Sequence, residues 1–340
     1  MDKEQLLKMY AALKNDPGEI VKAAARHRLI NFARYMQPDL ALEPFHVVYY
    51  TLLDKFAHGE IKKMIVQMPP QHGKSEGSSR KLPAFMLGLN PDTKICIGSY
   101  AATIARDFNR DVQRIIDTPK YREIFPKTFL NGSNVVTMAN TYLRNSDVIE
   151  MVGHKGSLRV VGRGGALTSK TVDVMIMDDV YKDYSEGNSP IVRNAAWKWY
   201  TTVVKKRLHN NSQELIVFTR WHEEDLIGKI EKGGEKIIDI KSWDSIKNIP
   251  DGAWVRINFE ALKTGEPNGI DPREPGAALW ESMHSREKLE RERALDPIQF
   301  QCLDQGNPGS AEGRLYRNPF RTYVDKSEWG TFVRSGNYTD

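Results

Sequence analysis

Gly73-Lys74-Ser75 is the segment richest in chemistry. It follows an apolar run, Met64–Met68 (MIVQM), and opens a stretch that reads as a helix. In a strand, tight turn and helix of this kind the turn's backbone N–H groups form a concavity for anions. The helix N-terminus adds partial positive charge. The chemistry is therefore phosphate binding. Lys74 would reach the β- and γ-phosphates of a nucleotide, and Ser75 would place its hydroxyl on Mg²⁺. Pro70, Gln71, His72 and Gly73 make the bend, and Glu76 lies in the first turn of the helix. The pattern G-x-x-x-x-G-K-[ST] is not met literally, because Met68 occupies the first glycine position. Pro69-Pro70 would stiffen the turn instead. On its own the tripeptide equally fits a helix start with a solvated lysine. The strand before it and the helix after it favour the phosphate loop.

A nucleotide hydrolase also needs carboxylates at a neighbouring strand end, and VDVMIMDDV supplies Asp178 and Asp179. Asp178 would hold Mg²⁺ through its water shell, and Asp179 would orient the attacking water. Phosphoryl transfer depends mainly on such positioning and on charge stabilisation. Alone, the pair reads more readily as a strand-end turn with two solvated acids, because apolar strands ending in acids are common. Combined with Lys74 in one α/β pattern it points to ATP and Mg²⁺ as cofactors. Asp179 is one methylene shorter than the glutamate usual at such a site. Either the water sits closer or another acid assists, Asp183 being the candidate, with a loop role as its alternative. In ELIVFTRWHEEDLIG, Thr219 at a strand end would sense the γ-phosphate. Arg220 would contact phosphate or relay its loss, or else pair structurally with Glu223, Glu224 or Asp225.

These residues need a scaffold, and the hydrophobic pattern describes one. Helical periodicity covers residues 6–13, 19–36 and 44–58. Strands are expected at 64–68, 94–100, 172–177 and 214–219, with a hairpin about GHKG joining 148–152 to 158–161. Helices are expected at 74–88, 101–117 and 190–208. Near-continuous Ile/Val/Met strands alternating with helices give an α/β fold whose mostly parallel sheet is covered on both faces. Residues 235–262 look strand-rich, 263–280 form a Gly/Pro-rich loop, and 285–295 a charged helix. A domain boundary is expected near 232.

Composition excludes several classes. The 340 residues hold 49 Lys and Arg against 44 Asp and Glu, a net charge of +5, with 40% hydrophobic residues. That balance excludes a predominantly disordered chain. No apolar run approaches the roughly 20 residues of a membrane span, and the N-terminus lacks the apolar core of a signal peptide. Cys96 and Cys302 are far apart in sequence, which suggests neither a disulfide framework nor a zinc site. The expectation is a soluble intracellular protein whose mild basicity permits a polyanionic partner.

Taken together, EPFHVVYY, MPPQHGKSE, GRGGALTSKTVDVMIMDDVYKD, KKRL, TRWHEEDLIGKI, REPGAALW and FQCLDQGNPGSAEGRLY resemble the ATPase half of the large terminase subunit of tailed bacteriophages, over roughly residues 40–317. The resemblance implies a RecA/ASCE-like P-loop NTPase domain over 1–232, a small lid or linker subdomain over 233–325, and the start of an RNase H-like nuclease domain over 326–340. It implies an ATP-driven motor that moves double-stranded DNA into a procapsid. Its partners would be the portal protein, the small terminase subunit and further copies in a ring, a pentamer in the family. It would work in the host cytoplasm, transiently at the portal, with no membrane contact. Phe45 and His46 would contact adenine, and Thr219-Arg220 would couple hydrolysis to DNA movement. The arginine finger of some members falls at Thr168, leaving Arg163 and Lys170 as the nearest cations. Lys205, Lys206 and Arg207 are a possible phosphate-contacting cluster or a solvated helix end. Asp340 matches the first metal-binding Asp of the nuclease, and without the remaining acids no nuclease activity is expected. The alternatives are a helicase-like P-loop ATPase acting on nucleic acid and a nucleotide-binding module without turnover.

Overall fold

Successive residues of a strand face opposite sides of a sheet, so strands without polar residues need cover on both faces. The computed structural model, which describes residues 16–136, 141–167 and 171–309, shows how that cover is provided. The expected helix at 6–13, Thr168, Lys170 and Asp340 lie outside the described residues.

Among the described residues, three helices, α1 (Pro17–His27), α2 (Leu29–Met36) and α3 (Pro44–Ala57), precede β1 (Lys63–Gln67). The bend leads to α4 (Leu82–Leu89), β2 (Lys94–Ser99), α5 (Ala102–Asp117) and α6 (Pro119–Ile124). The hairpin strands are β3 (Val148–Glu150) and β4 (Ser157–Gly162). Then come β5 (Val172–Asp178), α7 (Tyr184–Asn188), α8 (Pro190–Trp199), β6 (Leu208–Val217) and α9 (Leu226–Lys232). Last are β7 (Ile237–Asp239), β8 (Trp254–Asn258), α10 (Arg286–Leu295) and α11 (Pro297–Leu303).

The strands form one eight-stranded sheet in the order β3-β4-β2-β5-β6-β1-β8-β7. Every pairing is parallel except β3 with β4. Alternate residues divide between two cores. Met64, Val66, Val174, Ile176, Leu215 and Val217 pack with Leu29, Phe32, Leu53 and Phe85 on one face. Ile65, Met175, Met177 and Ile216 pack with Ala196, Trp199, Leu226 and Ile230 on the other. Among the described residues, no helix is long and apolar enough to cross a membrane.

Three expectations change. The helix expected at 74–88 begins with a π-helical turn, Glu76–Lys81, in which the Leu82 N–H reaches back to the Gly77 carbonyl. Pro83 explains it, having no N–H to offer Ser79 and a ring that would clash with that carbonyl. The helix expected at 190–208 ends with a π-helical turn at Val204, and β6 starts at Leu208. The first half of β6 is exposed and polar, so only its buried half, from Glu214, reads as a strand. The boundary expected near 232 falls inside the sheet, because β8 adds to β1 and β7 to β8. A separate small core of Ala261, Leu262, Ala278, Leu289 and Phe300 begins only after the last strand. Its final segment returns to the sheet: Gln67 Nε2 donates to the Gly306 carbonyl at 2.9 Å and Asn258 Nδ2 to the Gln305 carbonyl at 2.9 Å.

Candidate active site

Parallel strands collect the residues that follow them at one edge of the sheet, where ligands of open α/β sheets bind. The bend at His72, the candidate phosphate loop, follows β1, the acid pair ends β5, and Thr219 follows β6. Because β6 lies between the other two, Val217 pairs with both Val66 and Asp178. Thr219 therefore emerges, buried, between loop and acids.

The loop has the backbone shape of an anion cradle. Gln71 and Gly73, on either side of His72, are left-handed, with φ of 60° and 82°. Gly73 has a second reason to be glycine, since a Cβ there would lie 3.2 Å from His46 Nε2. The Lys74 side chain is 10% exposed, and its Nζ lies 3.6 Å from Asp179 Oδ2. Ser75 Oγ donates to Asp178 Oδ1 at 3.1 Å, and Ser79 Oγ donates to Asp178 Oδ2. Asp178 is fully buried. Burial, and then repulsion from Asp179, raise its pKa to about 7. A hydroxyl converging with a buried carboxylate that makes no ion pair among the described residues fits Mg²⁺, which prefers oxygen ligands. The left-handed bend, the helix N-terminus and Lys74 likewise fit a triphosphate.

Asp179 is left-handed. Its φ of 46° is uncommon for a residue with a Cβ, and Asp and Asn adopt it more readily than most. Strands on both sides impose it. The Asp179 N–H donates to the Val217 carbonyl at 3.1 Å, and its carbonyl accepts from the Tyr100 N–H at 2.8 Å. Its side chain therefore turns toward Lys74, across from Asp178.

The other expected residues divide. Arg163 Nη1 donates to the Val180 carbonyl at 2.7 Å and to Glu186 Oε2 at 2.9 Å, so it braces the loop that carries Asp179. Asp183 caps α7 by accepting from the Glu186 N–H, the loop role of its two alternatives. Glu76 pairs with Lys81 at 3.0 Å. Lys205 pairs with Glu214 at 2.8 Å, beyond the opposite end of β6 from Thr219. Arg220 adopts the structural pairing: its Nε donates to Asp225 Oδ2 at 2.7 Å, and both residues are buried. Asp225 also caps α9 through the Gly228 N–H at 3.0 Å. Asp225→Ala is expected to lose about 3–5 kcal/mol of stability in denaturant unfolding, because it strands the buried guanidinium and removes the cap.

Phe45 and His46 lie behind the bend, both buried. His46 Nδ1 accepts the Glu43 N–H at 3.0 Å, so its proton sits on Nε2, which is 3.2 Å from the His72 carbonyl. Burial lowers its pKa to about 4, leaving the ring neutral at pH 7. Both nitrogens are thus committed to the chain itself. His72 donates from Nδ1 to the Pro70 carbonyl at 2.7 Å and stacks on His284 at 4.5 Å. Trp280 packs edge-on to His46 at 4.9 Å. Sequence reasoning missed Ser79, Trp280 and His284. Ser79 had a signal, standing one helical turn after Ser75. The other two come from a Gly/Pro-rich stretch and its edge, with no periodic pattern.

A phosphate loop, an acid pair two strands away and a strand-end Thr between them define a fold of the P-loop NTPase type. Residues 65–318 match the family described as terminase large subunit, T4likevirus-type, N-terminal. The chain belongs to that family. No curated protein matches it. Its fold is similar to that of the HK97 bacteriophage large terminase, with a TM-score of 0.50 and 14% identity, covering 83% of this chain and 55% of that one. This chain therefore corresponds to little more than half of that protein. A mutant of the Thermus phage P74-26 large terminase ATPase domain gives a TM-score of 0.50 and 14% identity, covering 81% of this chain and 97% of that one.

Proposed function

We propose that this chain hydrolyses ATP with Mg²⁺ and, as the motor portion of a large terminase subunit, drives double-stranded DNA into a procapsid. The observation that carries this is the meeting of Lys74 and Ser75 with Asp178 and Asp179 at the strand ends. Ser75 and Asp178 would hold Mg²⁺, which supplies charge neutralisation at the phosphates. Lys74 would leave Asp179 for the β- and γ-phosphates, freeing that carboxylate to orient the water. Thr219 would sense the γ-phosphate, and Arg220 would pass its loss to α9 through Asp225.

The remaining parts of the proposal follow from family membership. The portal, the small terminase subunit and a pentameric ring are the expected partners, in the host cytoplasm and at the procapsid. Segment 260–305, with its own core, would serve as lid. Arg163 and Arg220 are both tied within this chain. A cation for the developing γ-phosphate charge would come from Lys170, outside the described residues, from a neighbouring subunit, or after rearrangement. A helicase would carry a second parallel sheet, and the described residues hold one. Phosphate release at high protein concentration tests the proposal. Wild type should exceed Lys74→Ala by at least about a hundredfold. Equal rates would leave a binding module without turnover.

A further inference from the structure

A trans peptide unit is planar, so its C=O and N–H point in opposite directions. A donor that fixes one carbonyl therefore also aims the amide of the next residue. Two carbonyls of the phosphate loop are gripped in this way, both from α3. His46 Nε2 holds the His72 carbonyl at 3.2 Å. The buried Tyr49 hydroxyl donates to the Lys74 carbonyl, which also accepts from Ser78 Oγ at 2.8 Å. The two side chains stand three residues apart on one helix face. Burial raises the Tyr49 pKa well above its usual value, so the phenol stays a donor.

The fold makes room for this grip. A Cβ on Gly77 would lie 2.5 Å from Tyr49 Cε1 and 3.1 Å from Leu53 Cδ1, so glycine at 77 admits the ring to the back of the loop. Tyr49 also packs edge-on to Tyr50 and Phe259, which fixes its direction.

We propose that Tyr49, acting with His46, is a positioning residue for phosphate binding. From behind the loop the two side chains set the His72–Gly73 and Lys74–Ser75 peptide planes. The Gly73 and Ser75 amides are thereby turned away from α3, into the cradle, before any anion arrives. The first-glycine position holds Met68, and this outside brace orients amides that the usual glycine turn would orient from within. The proposal rests on the nucleotide reading above and adds a residue that touches neither nucleotide nor metal.

The test is calorimetric titration with Mg²⁺-ADP and with a Mg²⁺-bound non-hydrolysable ATP analogue, together with steady-state kinetics. Tyr49→Phe keeps the ring and removes the hydroxyl. It should weaken both nucleotides about tenfold and raise KM for ATP to match, with kcat changed by less than about twofold. His46→Leu should do the same. His46→Gln should stay within about twofold of wild type, since its amide offers an acceptor to the Glu43 N–H and a donor to the His72 carbonyl. A purely structural Tyr49 would lower the unfolding midpoint and leave Kd and KM unchanged, which overturns the proposal alone. Wild type binding no better than Lys74→Ala overturns the nucleotide reading and the proposal with it. If Tyr49→Phe does not fold, the two His46 variants decide on the same readouts.

Discussion

Asp179→Asn is expected to slow ATP turnover by roughly a hundred- to ten-thousandfold, the range for loss of a positioned acid–base group. Binding of the Mg²⁺-bound nucleotide should change by no more than a few fold. Asparagine matches the volume of aspartate and tolerates the left-handed backbone that Val217 and Tyr100 impose on this position. The fold should therefore survive the change. The pair with Lys74, at 3.6 Å, is partly exposed on the Asp179 side, and the asparagine carbonyl can still accept from the Lys74 ammonium. The unfolding midpoint should stay near that of wild type while single-turnover phosphate release collapses. Comparable loss of turnover and of nucleotide binding would instead mean that Asp179 supports the cradle rather than the water.

Asp178→Asn is expected to separate stability from function. The wild-type carboxylate is buried between two serine hydroxyls and repelled by Asp179, so without a cation its charge is unfavourable. Asparagine is neutral and of similar shape. Its carbonyl can accept from one serine, and its amide can donate to the other. The nucleotide-free variant should unfold at or above the wild-type midpoint. Its Mg²⁺ affinity in the presence of nucleotide should fall by at least about a hundredfold, and turnover with it. Measuring the unfolding midpoint with and without Mg²⁺ and nucleotide checks both parts. The ligand-induced upward shift of wild type should be absent in the variant.

Elements whose signal is local were legible in the sequence. The apolar runs at 64–68, 94–100 and 172–177 each became a parallel strand, because burial on both faces leaves no polar interruption. The positions of Lys74, Ser75, Asp178 and Thr219 were legible for the same reason, at or just beyond the end of an apolar strand. What depended on distant partners was not legible. Nothing in Ile237–Asp239 or Trp254–Asn258 shows that these strands extend the sheet beyond β1, since parallel pairing leaves no turn signature. The resemblance implied an adenine contact for His46, and nothing in its own segment reveals the His72 carbonyl 26 residues further on. The π-helical turn had a legible cause in Pro83, whose missing N–H breaks the helical register.

A crystal structure with Mg²⁺ and a non-hydrolysable ATP analogue tests the central claim most directly. The account predicts that Lys74 Nζ leaves Asp179 for the β- and γ-phosphate oxygens. The Gly73 and Ser75 amides should point at phosphate, and the metal should lie beside Ser75 Oγ and Asp178. Phosphates bound away from the His72 bend, or a Lys74–Asp179 pair left intact beside bound nucleotide, would contradict it.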